Sequence, residues 1–248
     1  MLRSALEKQL AYRLLAAAVP DDHARQTTAE TMAANHSLHR DFTLLDVGCG
    51  AGVSIDVFRQ IEKAEGIRVE WNGVDIAESP EVRERVRTDG NFKTFDGIHL
   101  PYPDASFDII YSDQVFEHVR QPDALMQDIA RALKPGGLFL GSVAYLEPFH
   151  SYSIFNFTPY GMMRVCEAAG LSIRELRPGV DGWTLMLRHV LRRPPFFRFF
   201  QERISPFNAV VDLVGRATGL APRHRNYIKL QYCGQFSFVA THSRTATE

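Results

Sequence analysis

Three glycines at alternate positions follow a short apolar run that ends in an acid, in the stretch LLDVGCGAG of residues 44–52. The apolar run closed by Asp46 predicts a buried strand, and Gly48, Gly50 and Gly52 predict a sharp turn into a helix. Glycine allows positive φ and lacks a Cβ, so a ligand can approach the backbone and the amides that open the helix. The spacing favours a ligand-binding turn over a tight connection that binds nothing.

A second acid, Asp75, ends the next strand-like run, VEWNGVDI. A carboxylate at the end of the strand beside a glycine turn can accept hydrogen bonds from the two hydroxyls of a ribose. A helix cap or a turn residue is the alternative, and the position after a strand favours the ribose. The GxGxG spacing differs from the GxGxxG of dinucleotide sites, which disfavours a nicotinamide dehydrogenase.

The composition is that of a globular protein. With 45% hydrophobic and 23% charged residues, the 248-residue chain can bury one large core. The three cysteines are far apart and lack the paired spacing of a zinc site or a disulfide framework. No run approaches the roughly 20 apolar residues of a membrane span, and Glu7 and Lys8 interrupt the stretch where a signal peptide would be apolar. The sequence predicts a cytoplasmic protein with no metal site.

Strand-like runs alternate with helical patterns from residue 43 onward. Such alternation predicts an α/β fold, a doubly wound and mostly parallel sheet with helices on both faces. The seven predicted strands are Thr43–Val47, Arg68–Asp75, Phe92–Phe95, Phe107–Ser112, Leu138–Ala144, Leu171–Leu176 and Gln235–Ala240.

The ends of the chain differ from this alternating core. A stripe of leucines, Leu2, Leu6, Leu10 and Leu14, predicts amino-terminal helices laid before the sheet. The predicted organisation is an amino-terminal helical cap at 1–40, a cofactor-binding core at 41–180, a basic aromatic helical insertion at 181–232, the last core strand at 233–241 and a flexible tail at 242–248.

The insertion is basic in a chain whose net charge is −1: residues 181–232 hold nine Lys or Arg and three acids. Its apolar residues keep helical spacing around a break at Ser205–Pro206, which predicts an amphipathic pair of helices. Three roles remain open: packing on the sheet or on a partner subunit as in a homodimer, a lid over an anionic acceptor, or contact with membrane phosphates. Nucleic acid is disfavoured, since the basic excess is local and no known nucleic-acid module is recognisable. The apolar positions are Phe196, Phe200, Ile204, Phe207, Val211 and Val214.

Further motifs follow the glycine turn and Asp75 in a fixed order. Together they resemble the class I S-adenosylmethionine-dependent methyltransferases, whose fold is Rossmann-like, over the span from Leu44 to about Leu176. The motifs are DVGCGAG at 46–52, the strand ending at Asp75, LPYPDASFDII at 100–110, FEHV at 116–119 and LKPGG at 133–137.

The resemblance implies S-adenosylmethionine as the cofactor and places its parts on this sequence. The glycine turn with Cys49 would pass beneath the methionine part, with Asp46 ordering the loop or receiving the ammonium through water. Asp75 would accept the ribose hydroxyls, and Ile76 would pack on the adenine face. Phe95 stands where many family members have glycine, which would close one side of the adenine pocket.

Two later segments complete the implied cofactor site. Asp96 would accept the adenine amino group, with the Gly97 amide directed at a ring nitrogen. Ser112 and Asp113 would line the methionine end, and Gln114 would face the cofactor or the acceptor.

Catalysis of methyl transfer requires mainly an in-line approach and a nucleophile stripped of its proton. His150, after the fifth strand, is the preferred base, with a surface histidine as the alternative. Glu117 and His118 are candidates that a bracing role explains equally well, and they lack a third ligand that would indicate a metal. Tyr145 and Tyr152 are the predicted acceptor contacts.

The predicted function is O-methylation of a small polar or glycan-related metabolite. The stretch NFTPYGMM at 156–163 resembles a helix opening in methyltransferases that accompany bacterial surface-glycan enzymes. The alternatives are N- or C-methylation of a small molecule, and a subunit that binds S-adenosylmethionine without catalysis.

Overall fold

A computed structural model describes residues 2–147 and 151–243, and seven strands in it form one sheet. The strand order across the sheet is β3-β2-β1-β4-β5-β7-β6, in which β7 runs antiparallel to both neighbours and the other pairs are parallel. This order confirms the predicted doubly wound, mostly parallel seven-stranded sheet. The strands are β1 Phe42–Val47, β2 Val69–Ile76, β3 Asn91–Phe95, β4 Phe107–Asp113, β5 Leu133–Ala144, β6 Leu171–Pro178 and β7 Gln235–His242.

Helices cover both faces of the sheet, because successive side chains of each strand feed opposite cores. On β1, Leu45 packs in a cluster with α1, α2, α6, α7 and α11, while Leu44 packs in a second cluster with α3 and α4. The helices are α1 Leu2–Glu7, α2 Leu10–Leu15, α3 Ala29–Asn35, α4 Ser54–Glu65, α5 Pro80–Arg83, α6 Pro122–Ala132, α7 Pro159–Ala168, α8 Gly182–Val190, α9 Phe197–Glu202, α10 Pro206–Ala217 and α11 Pro222–Tyr232.

The sequence motifs that punctuate these elements have local structural causes. The Thr158 hydroxyl accepts a hydrogen bond from the Gly161 N–H at 2.9 Å and Pro159 occupies the first turn, so the NFTPYG stretch is an N-cap for α7. The LKPGG stretch interrupts the pairing of β4 with β5, and Gly136 there has a φ of +77°.

The predicted leucine stripe is wrong beyond Leu6. The helix is interrupted between α1 and α2, at residues 8 and 9. The second helix therefore packs a different side against the core. Leu10 and Leu14 are exposed, while Tyr12 and Leu15 are buried.

The insertion is helical as predicted, and four of its six predicted apolar positions are partly buried: Phe200, Ile204, Phe207 and Val211. Phe196 is exposed, and its neighbour Phe197 is buried. In α10 the buried residues are Asn208 and Gly215, and Val214 is exposed. Buried polar contacts therefore help to fix this part of the chain, beside the partly buried apolar residues.

The buried amide of Gln26 joins the amino-terminal segment to the junction between α9 and α10. Its Nε2 donates to the carbonyls of Phe200 and Gln201, both at 2.7 Å. Its Oε1 accepts from the Ser205 amide and hydroxyl at 3.2 Å and from Asn208 Nδ2 at 2.9 Å. The junction between α9 and α10 thus depends on one side chain nearly 180 residues away in sequence.

A second set of contacts ties α11 to the same amino-terminal segment. The Tyr12 ring stacks on His224 and meets Tyr227 edge-on. Lys229 is fully buried, donates to the Ala24 carbonyl at 2.5 Å and pairs with Asp212 at 2.8 Å.

Among the described residues, no helix has the length and apolarity needed to cross a bilayer.

Replacing Gln26 with alanine is expected to lower the free energy of unfolding by roughly 2–3 kcal/mol. The change leaves the buried donors of Ser205 and the part-buried carbonyls of Phe200 and Gln201 without their partner, and unsatisfied buried polar groups are costly. Urea denaturation compared with Gln127→Ala, an exposed glutamine on α6, measures the difference. Equal losses in the two variants would contradict the role assigned to the Gln26 amide.

Candidate functional site

The glycine turn between β1 and α4 is packed tightly by the protein itself. A Cβ on Gly48 would collide with the Val115 side chain, and a Cβ on Gly52 would lie 2.8 Å from the Phe92 ring. Both positions also need the left-handed backbone that glycine adopts freely. Intramolecular packing thus requires these two glycines even before a ligand is considered. The φ angles are +76° at Gly48, +48° at Gly50 and +81° at Gly52.

Three carboxylates gather at the carboxyl ends of β1, β2 and β4. Asp46 is buried and accepts a hydrogen bond from the Ser54 hydroxyl at the start of α4. Burial raises the pKa of Asp46 to about 7, the negative charges of Asp113 and Asp75 add to the rise, and the Ser54 hydrogen bond opposes it. Asp113 and Asp75 are therefore close enough to Asp46 to repel its negative charge. A cation placed among the three carboxylates would be stabilised.

Asp75 connects the end of β2 to the glycine turn. Its Oδ2 accepts from the Gly50 N–H and its Oδ1 from the Ile76 N–H, both at 2.7 Å. Burial raises the pKa of Asp75, and these two hydrogen bonds oppose the rise. Each carboxylate oxygen keeps further lone pairs, so Asp75 can still accept hydrogen bonds from a ligand.

The predicted adenine side lies at the ends of β2 and β3. Ile76 is exposed, and a Cβ on Gly97 would lie 3.5 Å from Ile76 Cγ2, so the two residues are neighbours. Asp96 is engaged by its own loop: it accepts from the amides of Ile98 and His99 and from His99 Nδ1. The His99 hydrogen bonds hold the pKa of Asp96 well below its usual range. Its role in binding adenine stays a prediction.

A polar network closes the site between β4 and β5. Gln114 has a φ of +55°, and its Nε2 donates to the Ser142 hydroxyl at 2.6 Å, which in turn donates to Asp113. Two buried polar atoms here have no hydrogen-bond partner among the described residues: Gln114 Oε1 and the Ser112 hydroxyl. Strained backbone and unpaired buried polar atoms concentrate at ligand sites.

Two arginines after α5 hold the carbonyl side of the glycine turn. Arg85 Nε donates to the Gly50 carbonyl at 2.8 Å, and its guanidinium lies 4.0 Å from the centre of the Phe92 ring. Arg85 also reaches the buried Cys49 sulfur at 3.6 Å. Arg87 Nη1 donates to the Gly52 carbonyl at 2.8 Å. These arginines fix the turn from outside the expected ligand position.

The sequence does not predict Arg85, Arg87 or Ser142 as members of the site. Arginines near a short helix carry no local signal, because their partners are carbonyls about 35 residues earlier. Ser142 has a weak signal, since it is a polar residue within the apolar run LFLGSVA of β5.

Glu117 and His118 lie in a short 3-10 turn beyond β4. Glu117 is fully buried: its Oε1 accepts from the Ala144 amide at 3.3 Å, and its carbonyl accepts from the amides of Ile154 and Phe155. Glu117 therefore anchors the segment that follows β5. His118 is partly buried and close enough to Glu81 for its charge to act on that carboxylate.

The predicted acceptor residues are placed unequally. His150 lies outside the described residues. Tyr145 is half-buried against the core, and its N–H donates to the Gly234 carbonyl at 2.7 Å. Tyr152 is 81% exposed, so it does not form the wall of an enclosed pocket.

Two surface grooves lie away from these residues. One of about 510 Å³ runs beside the starts of β2 and β3, and one of about 390 Å³ lies at the starts of β1 and β4. The candidate site lies at the opposite ends of the strands. Within residues 2–147 and 151–243, no three His, Cys, Asp or Glu side chains are placed to hold a metal ion.

Comparison with known proteins identifies the family of the domain that holds these carboxylates and the glycine turn. Residues 45–141, which run from β1 into β5, match the family model of a methyltransferase domain. This domain belongs to the class I S-adenosylmethionine-dependent methyltransferase family. Its cofactor is S-adenosylmethionine, as the resemblance implied.

Curated relatives of the methyltransferase domain match part of the chain. Methyltransferase GfsG of Streptomyces halstedii is 37% identical over 101 residues, which cover 38% of this chain and 34% of that protein. An uncharacterized methyltransferase of Mycolicibacterium gilvum is 33% identical over 139 residues, covering 55% of this chain and 50% of that protein. The matched part thus spans about a third to a half of these relatives.

Solved structures share the fold at low identity. A methyltransferase in complex with the Trm112 methyltransferase activator of Haloferax volcanii superposes with a TM-score of 0.54 at 20% identity, covering 97% of this chain and 93% of that chain. The [4+2]-cyclase SpnF gives 0.54 at 18% identity, covering 97% and 94%. The fold alone therefore does not identify the reaction.

The residues of the methyltransferase domain fit its cofactor. S-adenosylmethionine carries a sulfonium and an ammonium, and the acids Asp46, Asp75 and Asp113 form a negatively charged edge that favours such cations. Its ribose needs acceptors such as the remaining lone pairs of Asp75, and Gln114 Oε1, which has no partner within residues 2–147 and 151–243, offers one more acceptor.

Replacing Asp75 with alanine is expected to weaken S-adenosylmethionine binding by roughly ten- to a hundredfold. The variant loses charged acceptors for the ribose and the partner of the Gly50 amide, and charge-assisted hydrogen bonds are the strong ones. Isothermal titration measures the dissociation constant, with Glu70→Ala at the other end of β2 as the matched control. Unchanged affinity in Asp75→Ala would place the ribose elsewhere.

The affinity for S-adenosylmethionine is expected to rise with pH through about 7 and then level off. The pKa of Asp46 in the free protein is about 7, and a bound cation favours the ionised carboxylate, so binding below that pH must release a proton. The rise approaches about tenfold per pH unit at most. Titrations between pH 5.5 and 8.5 measure it, and Asp46→Asn should flatten the profile. A profile that Asp46→Asn leaves unaltered would assign the proton to another group.

Proposed function

We propose that the chain transfers the methyl group of S-adenosylmethionine to a hydroxyl of a small polar or glycan-related acceptor. The supporting observation is the edge of three carboxylates beside a packed glycine turn, within a domain of the methyltransferase family. Fixed acceptors and a negative edge suit a cationic methyl donor. The activity, the acceptor and the acceptor atom are all parts of this proposal.

On the cofactor side, S-adenosylmethionine would supply an electrophilic methyl group, and residues of this chain hold the cofactor in place. Asp75 binds the ribose hydroxyls while it keeps the Gly50 amide in position. Asp46 and Asp113 favour positive charge at the methionine end. Ser142 fixes Gln114 and Asp113 relative to each other, so that this end is preorganised.

On the acceptor side, the nucleophile must reach the methyl carbon in line at about 3 Å, which places it above the ends of β4 and β5. Glu117 holds the segment after β5 by accepting the amides of Ile154 and Phe155. This segment is therefore a fixed wall of the acceptor space. His150, which stands between β5 and α7 in the sequence, is the proposed base for the hydroxyl proton.

The choice of oxygen as the acceptor atom rests on the sequence resemblance rather than on the relatives. Among these, an O-methyltransferase from Penicillium expansum is 34% identical over 95 residues, and ajmaline N-methyltransferase from Rauvolfia serpentina is 26% identical over 99 residues. A panel of hydroxyl, amine and thiol acceptors with labelled S-adenosylmethionine tests the choice. Methylation of amines or thiols alone would refute it.

Replacing His150 with alanine is expected to lower turnover by about a hundredfold or more and leave cofactor affinity unchanged. A hydroxyl must lose its proton during transfer, whereas the cofactor contacts do not involve this residue. Turnover and S-adenosylhomocysteine affinity are measured beside His39→Asn, a change at an exposed histidine with left-handed backbone that asparagine tolerates. Full turnover in His150→Ala would remove this residue from the mechanism.

A further inference from the structure

Helix α8 turns its larger apolar side chains away from the protein. The buried residues of α8 are Gly182, Thr184 and Leu185. The exposed apolar residues recur at helical spacing on the other side, and Trp183 is 61% and Val190 77% exposed. This orientation is the reverse of a helix that serves only to cover a core, and contiguous exposed apolar surface marks an interaction site. The exposed side of α8 and its last turn consists of Trp183, Met186, Leu187, Val190 and Leu191.

Arginines accompany this apolar side through α9. Residues 182–204 contain five arginines and one acid, Glu202, which pairs with Arg198. Phe196 and Phe199 are exposed in the same segment, and the Arg203 guanidinium lies over the Phe199 ring. We call the exposed apolar residues of α8, Phe196, Phe199 and these arginines the α8–α9 surface. Its arginines are Arg188, Arg192, Arg193, Arg198 and Arg203.

The α8–α9 surface is preformed rather than ordered on contact. Asp181 caps α8, since its Oδ1 accepts from the Thr184 amide at 2.8 Å and its Oδ2 from the Thr184 hydroxyl at 2.9 Å. Gln26 fixes the junction beyond α9. Binding therefore needs little ordering of the backbone, which lowers its entropic cost.

The surface begins beside the acceptor space. A Cβ on Gly182, the first residue of α8, would lie 3.0 Å from Leu146 Cβ in the segment after β5. Leu146, Ile154 and Phe155 in that segment are also exposed. The first residue of α8 and Leu146 are therefore neighbours, so the α8–α9 surface begins next to the segment that follows β5.

Charge decides between the occupants of this surface. In a two-fold symmetric dimer the same patch meets itself, so the positive charges of two copies of this surface would be brought together. An anionic lipid surface instead accepts tryptophan, phenylalanine and leucine at the headgroup level and neutralises arginine with phosphate. We propose that the α8–α9 surface docks this protein onto an anionic phospholipid bilayer.

Vesicle flotation tests the docking without any acceptor or turnover. The wild-type chain is expected to float with vesicles of phosphatidylcholine and phosphatidylglycerol, and roughly tenfold less with phosphatidylcholine alone. Salt should weaken the binding, because it screens the arginines. Tryptophan emission should shift to the blue on binding, and Trp183→Phe should remove the shift while Trp71, hydrogen-bonded to Ser54, remains.

Two double variants separate the apolar and basic contributions. Leu187→Ser with Val190→Ser, and Arg192→Asn with Arg193→Asn, should each weaken anionic-vesicle binding by roughly tenfold or more. Asparagine suits the second pair because both arginines have positive φ. The controls are Val86→Ser and Arg120→Gln, exposed residues in the loops after α5 and before α6. Unchanged thermal melting and S-adenosylhomocysteine affinity show that the folds are intact.

The outcomes are distinct. Failure of wild type to bind anionic vesicles at low salt would overturn the proposal, as would equal binding by the surface variants and the controls. Concentration-dependent dimerisation that Leu187→Ser with Val190→Ser abolishes, seen by analytical ultracentrifugation without vesicle binding, would assign the surface to a second copy and equally overturn it. Methyl transfer in solution is independent of all these results.

Discussion

The carboxylate of Asp75 holds the end of β2 against the glycine turn that follows β1. Through its hydrogen bond from the Gly50 amide, two neighbouring strands share one fixed edge, and the arginines after α5 hold the opposite, carbonyl side of the turn. Because Val115 and Phe92 fill the space next to Gly48 and Gly52, the turn has little freedom to relax. The ligand-facing atoms of β1, β2 and β4 are therefore positioned before any ligand arrives.

This positioning concentrates negative charge where burial makes it unfavourable. Asp46 is buried, close to two other acids, and its pKa lies near neutrality for that reason. A site that destabilises its own carboxylates has the most to gain from a cation, since binding relieves the repulsion as well as adding attraction. The same arrangement gives less advantage to a neutral ligand of equal shape.

The sheet and the edge of the site are predictable from sequence because they arise from local patterns. Apolar runs separated by helical periodicity give the strands, and the glycines and acids stand directly at their ends. Contacts between segments that are distant in sequence produce no local sequence pattern from which they could be predicted. Arg85 acts on a carbonyl 35 residues earlier, and Gln26 reaches residues beyond 200. The leucine stripe was wrong for a related reason: tertiary contacts of Tyr12 with α11 determine which side of α2 is buried.

The wide separation of these partners has a consequence for the order in which the chain can fold. Gln26 meets residues 174 to 182 positions later, and Tyr227 donates to Gln9 across 218 positions. Strand β7 must also enter between β5 and β6 before β6 has its neighbour. During synthesis the contacts that Gln9 and Gln26 make with the insertion thus form only after most of the chain has emerged. Such high contact order slows the final steps and leaves apolar helix faces exposed to chaperones meanwhile.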